Sequence, residues 1–274
     1  MVAIKRLSLN DRCAFDCESN ILQSMRKKKH AHPHLITLLA TYEQNDSLYL
    51  ILPWAEADLD EYWNLRFPMP SNNDLELSTW IKQQCSGMAE AVSQIHRYRT
   101  SSDTSIRYNI TLSPPEVNDT RDCSHLRYDL GQQTPMILFG RHGDIKPANI
   151  LWFPDRDSAN GLGKLKISDF GTARFSDNEK ITVRNKTTVQ NSRPYQSPES
   201  ILPGGEISSQ CDVWALGCVF LEFVCWYYGG RELLKQFEFE RGYACESPSF
   251  FLINVEETPR LVFAKLKQPV VKVS

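Results

Sequence analysis

The stretch Arg141-His142-Gly143-Asp144-Ile145-Lys146-Pro147-Ala148-Asn149-Ile150-Leu151 decides how the rest of the chain is read. It sets Asp144, Lys146 and Asn149 within six residues, directly ahead of an apolar run. The runs 150–153 and 165–168 read as short strands joined by the loop 155–163. Upstream, Leu77, Ile81, Cys85, Met88, Val92 and Ile95 recur at the spacing of an amphipathic helix. Between that helix and the loop, from about 98 to 138, the pattern collapses into a Ser/Thr/Asp/Arg-rich insertion with Pro114-Pro115. Nearer the start, Leu35–Leu39 and Leu48–Leu52 flank Gln44-Asn45-Asp46-Ser47, which predicts an antiparallel hairpin ended by Pro53. Val2–Lys5 reads as a strand, and Phe15, Glu18, Ile21, Leu22 and Met25 as a helix closed by the basic run 26–30. Downstream, 172–198 is polar and aperiodic, whereas Val213–Trp226 is an apolar helix. After Gly230 the signals are weak. The layout is α+β, in two unequal lobes: a small sheet-bearing part over 1–53 and a mainly helical part over 54–274.

Composition fits this layout. The chain has 274 residues, 41% hydrophobic and 23% charged, with a formal net charge of −2. A balance so near neutrality gives no global field for nucleic acid or membrane. The apolar run 213–228 contains Glu222 and is short for a bilayer span, so it reads as a buried helix. Eight cysteines without a C-x-x-C pair argue against zinc. A short, polar, charged N-terminus carries no secretory signal, so the thiols are expected to be reduced, in the cytoplasm or nucleus. The three N-x-S/T sequons, at Asn109, Asn118 and Asn185, then read as chance.

The quoted loop is followed in order by Asp169-Phe170-Gly171, Ser197-Pro198-Glu199 and Asp212-Val213-Trp214-Ala215-Leu216-Gly217, and preceded by Val2-Ala3-Ile4-Lys5. This ordered set resembles the signature of eukaryotic protein kinases of the serine/threonine type, over most of residues 1–228. The resemblance implies a bilobal kinase-like fold, with ATP and Mg²⁺ as cofactors and a protein Ser/Thr hydroxyl as acceptor. It makes Asp144 the residue that orients or accepts the hydroxyl proton, and Asn149 and Asp169 the Mg²⁺ ligands. Lys146 neutralises the transferring phosphate. Lys5 holds the α- and β-phosphates and pairs with Glu18, whose alternative is a surface carboxylate. Leu52 becomes the gatekeeper; Pro53, Trp54 and Ala55 the adenine hinge; and Ala3 and Leu151 part of the nucleotide's apolar surroundings. Asp58 suits a ribose hydroxyl or a helix N-cap, or both. Leu22, Leu38, His142 and Phe170 match a hydrophobic spine; Asp212 would bond the catalytic-loop backbone, and Ser192 would lie near Asp144.

Four departures qualify the resemblance. Met1 directly precedes the lysine strand, so the expected glycine-rich lid is missing; losing one preorganised donor costs about 2.7–4 kcal/mol in catalysis. Gly143 stands where the family often has an arginine that pairs with a phosphate on the activation segment. Phosphorylation at Thr182, Thr187 or Thr188 is therefore expected not to be obligatory. The insertion resembles those of divergent fungal-type kinases. Near the end only Arg260, by elimination, is left to pair with Glu199, and the chain is expected to stop inside the helical lobe. Two rival functions remain. One is a catalytically impaired kinase-like scaffold. The other is a small-molecule phosphotransferase, whose H-G-D-x-x-x-x-N loop Gly143 also fits but which Lys146 and Gly171 disfavour. Substrate and oligomeric state are not encoded in these motifs.

Overall fold

A computed structural model describes residues 1–26, 31–66, 74–99, 137–155, 161–176, 193–202, 205–243, 247–257 and 260–273. The first strand, β1 (Val2–Ser8), alternates strictly, with Ala3, Lys5 and Leu7 inward and Val2, Ile4 and Arg6 outward. Helix α1 (Arg12–Met25) buries Phe15, Glu18, Ile21, Leu22 and Met25, the face its three- and four-residue spacing predicts. Strands β2 (Ala40–Gln44) and β3 (Ser47–Pro53) complete an antiparallel sheet of order β1-β3-β2.

The expected hairpin exists, but its first strand is not Leu35–Leu39. Gln44 pairs with Ser47 across a two-residue turn whose residues both have positive φ, Asn45 at 48° and Asp46 at 54°. That turn fixes the register, so β3 takes 40–44 as its partner. Leu35, Ile36 and Leu38 are buried for a different reason. Their segment docks on a distant strand, with Ile36 N donating to Ile167 O at 2.9 Å and Ile167 N to His34 O at 2.8 Å. A short apolar run does not distinguish a strand from a buried connection.

The larger part begins with β4 (Ala57–Asp58), α2 (Leu59–Leu65) and α3 (Asp74–His96). The predicted strands of the catalytic region appear as β7 (Ile150–Phe153) and β8 (Lys164–Ile167), in a sheet of order β4-β7-β8. Strands β5 (Arg97–Arg99), β6 (Ile137–Arg141) and β9 (Arg174–Ser176) form a third sheet, in the order β5-β6-β9. The pairing of β5 with β6 closes the base of the insertion, whose interior lies outside the described residues. Trp152 Nε1 donates to Leu162 O and Trp80 Nε1 to Gly163 O, both at 2.7 Å, which ties the end of the β7–β8 connection to the core. Tyr62, Trp63, Trp152, Phe223 and Trp226 form an aromatic cluster under it, with ring centroids 5.2–5.9 Å apart. Each such pair adds about 0.5–1.5 kcal/mol beyond area burial.

Helix α4 (Gln210–Tyr243) contains the predicted apolar helix but runs on past it, with a kink at Gly229 and Gly230. Gly230, at φ 64°, occupies the left-handed region that permits this break. By length and hydropathy α4 passes as a membrane span, yet half of that span is buried inside the protein. Beyond it a hairpin of β10 (Phe251–Glu257) and β11 (Arg260–Leu266) leads into α5 (Gln268–Val273), which packs on α4. The weak signals after Gly230 therefore conceal regular structure. Cys13 is in a disulfide, contrary to the expectation of reduced thiols throughout, while Cys85, Cys211, Cys218 and Cys225 are free.

Candidate active site

The loop 142–149, the expected catalytic loop, joins the end of β6 to the start of β7. Its hold on the helical part is Asp212 in α4, which accepts from His142 N at 2.7 Å, Gly143 N at 2.8 Å and His96 Nε2 at 3.0 Å. Burial pushes this carboxyl up, but the His96 bond, the neighbouring imidazoles and the loop amides outweigh it and hold Asp212 below the usual carboxylate range. Gly143 has φ 88°, and a Cβ there would lie 3.0 Å from Thr172 O, so glycine suits the position on both counts. Within the loop, Lys146 Nζ donates to Asp144 Oδ2 at 2.7 Å. Asn149 Nδ2 donates to Asp144 O at 2.8 Å and to Oδ2 at 3.0 Å. The expected trio is thus one hydrogen-bonded unit around the Asp144 carboxylate.

Lys5 reaches this region from β1. Its Nζ lies 2.9 Å from Glu18 and 2.7 Å from Asp169 Oδ1. Glu18 is buried in α1, so it is a pairing carboxylate and not a surface one. Burial raises its pKa despite Lys5. Burial also works against the Lys5 charge, but Glu18 and Asp169 overcome this and hold its pKa above the ordinary lysine value. Asp169 goes the other way: burial would raise it, and the bond and charge of Lys5 keep it low and ionised. Asp169 has φ 62°, a conformation an aspartate tolerates better than most residues.

The spine residues Leu22, Leu38, His142 and Phe170 are all buried, and the His142 and Phe170 rings meet edge to face at 4.9 Å. Burial depresses the His142 pKa, and the neutral ring bridges Ser168 O through Nε2 and Asp144 N through Nδ1. Of the residues expected around a nucleotide, Ala3 is opposite Leu52 in the sheet, and Asp58 opposite Leu151. Pro53 ends β3, and Trp54 and Ala55 follow in the connection to β4. Asp58 caps α2, accepting from Glu61 N at 2.8 Å. Ser192, Thr182, Thr187 and Thr188 lie outside the described residues. Arg260 lies in β11 in register with Glu257, while Glu199 accepts from the Cys211 thiol at 3.3 Å. Arg241, buried like Arg141, pairs with Glu222 at 3.0 Å. Sequence reading missed Arg241, Glu222 and His96; a charge interrupting the apolar run at Glu222 was the available signal.

The donor set fits a magnesium–nucleotide. The Asn149 amide nitrogen is committed to Asp144, which leaves the amide oxygen as its acceptor beside the Asp169 carboxylate in the donor list. These are hard oxygen donors of the kind Mg²⁺ takes together with phosphate oxygens and water. Among the described residues there is no cluster of three or more His, Cys, Asp or Glu that would favour a self-contained metal cage.

The protein kinase domain profile matches residues 140–235, the catalytic loop through α4 beyond its kink. Over those residues the chain is similar to the protein kinase domain family. It is 38% identical over 84 residues to the glycogen synthase kinase-3 homolog YGK3 of Saccharomyces cerevisiae, covering 30% of this chain and 20% of the relative. Similarity to mitogen-activated protein kinase 5 of Arabidopsis thaliana is 32% over 119 residues, or 43% of this chain and 28% of that one. Mitogen-activated protein kinase HOG1 of Wallemia muriae is 37% identical over 83 residues, 30% of this chain and 25% of its own. The matches thus span between a fifth and just over a quarter of these kinases.

Proposed function

We propose that this chain carries the catalytic centre of a serine/threonine protein kinase that transfers the ATP γ-phosphate to a protein hydroxyl in the cytoplasm or nucleus. The observation that carries the reading is the Lys5–Glu18–Asp169 triad, formed from β1, α1 and the turn after β8. In phosphoryl transfer a strand-lysine to helix-glutamate pair and a metal-binding aspartate must be in place together. The division into a partial small lobe over 1–53 and a helical lobe over 54–274 belongs to the same reading.

In this reading the Asp144 carboxylate orients the acceptor hydroxyl and takes its proton. Lys146, 2.7 Å away, offsets negative charge beside it. Lys5 binds the α- and β-phosphates, and Glu18 keeps Lys5 in place. Ala3, Leu52 and Leu151 enclose the base, the Pro53 carbonyl and Ala55 N–H read its edge, and Asp58 meets the ribose. Mg²⁺, held by Asn149 and Asp169, would neutralise phosphate charge. The serine/threonine assignment rests on Lys146 standing two residues after Asp144, and on the names of the similar kinases.

The test is ATP–Mg²⁺ binding and phosphate transfer to a generic protein, with Asp144→Asn as control. Asp144→Asn is expected to retain nucleotide binding and lose about 10²–10⁴-fold in transfer rate. Binding without transfer by the unsubstituted chain would favour the scaffold reading. Transfer to choline or an aminoglycoside but not to protein would overturn the proposal.

A further inference from the structure

Cys13 and Cys17 stand one turn apart on α1, so they share a side of the helix. Both are half-buried. With Asn10, Asp11 and Ala14 they form one wall of a cavity of about 540 Å³, and Gly171 and Arg174 form the facing wall. The two sulfurs differ in state: Cys13 is in a disulfide and Cys17 is a thiol. The second sulfur of the bond lies outside the described residues, since the other described cysteines are thiols. Among those, Cys211, Cys218 and Cys225 are sealed in the core at 2–4% exposure. Burial pushes their thiols, and that of Cys85, above the ordinary range and so away from thiolate chemistry. Cys13 is the opposite case, a sulfur that a small molecule reaches through a cavity.

Accessible disulfides are the ones that small thiols open, whereas structural bonds resist reduction. In the cytoplasm or nucleus proposed for this chain, glutathione-class thiols keep cysteines reduced, and the disulfides that do form there act as redox sensors. The cavity lining suits such a thiol. It carries carboxylate, ammonium and amide groups, for which Arg174, Asp11 and Asn10 are the complements. Asp11 is not engaged in capping: it stands at the α1 N-cap but makes no side-chain cap bond. The first turn of α1 therefore lacks the about 0.5–2 kcal/mol that a capping side chain supplies, and the Cys13 bond pins it instead. That turn leads straight to Glu18, which follows Cys17 and lies 2.9 Å from Lys5 Nζ. On the facing wall, a Cβ on Gly171 would lie 3.4 Å from Asp169 Oδ1 and 3.7 Å from Glu18 Oε2. The cavity thus backs onto the Lys5–Glu18–Asp169 triad.

We infer that the Cys13 disulfide is a redox switch on the placement of Glu18, opened by a thiol of the glutathione class that enters this cavity. The small thiolate attacks Cys13 Sγ. The existing S–S bond breaks, and the departing sulfur leaves with the electron pair and takes a proton. A second small thiolate attacks the small-molecule sulfur of the mixed disulfide, which releases Cys13 as a thiol and the small molecule as its own disulfide. Two electrons pass from two small thiols to the protein bond. The consequence for nucleotide binding rests on the kinase reading; the opening of the bond and its effect on α1 do not.

The experiment equilibrates the full chain, without nucleotide, in glutathione buffers stepped from oxidised to reduced. The Cys13 bond is read by acid quenching, alkylation and mass mapping, and α1 by amide hydrogen exchange. The expected result is a two-electron titration of Cys13 within the buffer range, with protection of amides 12–18 falling about tenfold or more on reduction. Cys13→Ser should show the reduced exchange pattern in oxidised buffer, and Cys17→Ser should keep the titration. If Cys13→Ser fails to fold, the reduced unsubstituted chain supplies the comparison. A Cys13 bond that stays closed in fully reduced buffer is structural and overturns the inference. So does a bond that opens with α1 protection unchanged, or a titration that vanishes in Cys17→Ser. ATP–Mg²⁺ binding to the two forms is then compared by calorimetry. Binding to the reduced form should be about tenfold weaker, and by reciprocity saturating nucleotide should lower the Cys13 potential by about 30 mV. Equal binding to both forms overturns the inference, because Glu18 then stays in place. No binding to either form counts against the kinase reading alone, and the mass mapping and amide exchange still decide the switch.

Discussion

Glu222 is fully buried in α4, accepting from the Tyr195 hydroxyl at 2.9 Å and from Arg241 Nη1 at 3.0 Å. The Arg241 guanidinium lies 4.0 Å from the centre of the Phe250 ring. Burial pushes the Glu222 carboxyl up to about 7, against the pull of Arg241. The folded pKa lies above the unfolded one, so the folded state keeps a proton that the unfolded chain releases. The associated stabilisation is complete below about pH 4.5 and fades as pH rises to about 7. It is on the order of 3 kcal/mol. Glu222→Gln should therefore flatten the fall in stability across this window, measured by denaturation at successive pH values. Arg241→Met should cost about 3–5 kcal/mol at neutral pH, and the pair Glu222→Leu with Arg241→Met should recover most of it. Asp144, Lys146 and Asn149 were legible as residues because their relations are fixed by spacing of a few positions, and Asp169 because it opens the string Asp169-Phe170-Gly171. Glu222 and Arg241 were not, because their partnership is made by a helix folding back on itself at Gly229 and Gly230.

Among the elements, the hairpin between β2 and β3 shows how local chemistry overrules a composition signal. The apolar run 35–39 looked like a strand, yet two residues with positive φ set the ladder one stretch later. Asp46 pays a backbone cost there that glycine does not, and Asn-Gly is the favoured pair for such a turn. Asp46→Gly should therefore raise stability by up to about 1 kcal/mol, read from urea midpoints at unchanged slope. A neutral or destabilising result would mean that the turn differs from the one described. Helices α1, α3 and the first part of α4 were legible from their apolar periodicity. The β10–β11 hairpin and α5 were not, since they are short and gain their order from mutual pairing and from packing on α4.

For the whole molecule, Lys5 joins β1, α1 and the Asp169 turn, which lie 13 and 164 residues apart along the chain. A nucleotide gripping Lys5 and Asp169 would bind the folded state and not the unfolded one. At a hundred times its Kd, ATP with Mg²⁺ should stabilise the chain by about 2.7 kcal/mol. Lys5→Met should abolish most of the corresponding rise in melting temperature, by thermal scan with and without the nucleotide. The Lys5–Asp169 pair also sets a sign with pH. The Asp169 pKa is held low, so its contribution is present above the ordinary carboxylate pKa and is lost as pH falls through the depressed one.

By itself the sequence determined which polar residues the loop 142–149 brings together, the α+β layout and the strand that carries Lys5. Each of these is written in spacings of two to five residues, over which backbone geometry leaves little choice. The tertiary structure alone decided that Glu18 is a buried partner and not a surface carboxylate, that Asp212 holds the loop from α4, and that the Arg141 guanidinium is buried beside Gly143. Those depend on which distant surfaces exclude water from one another. Burial is what turns a carboxylate or guanidinium into a constraint, and it is a property of the packed chain that local spacing does not carry.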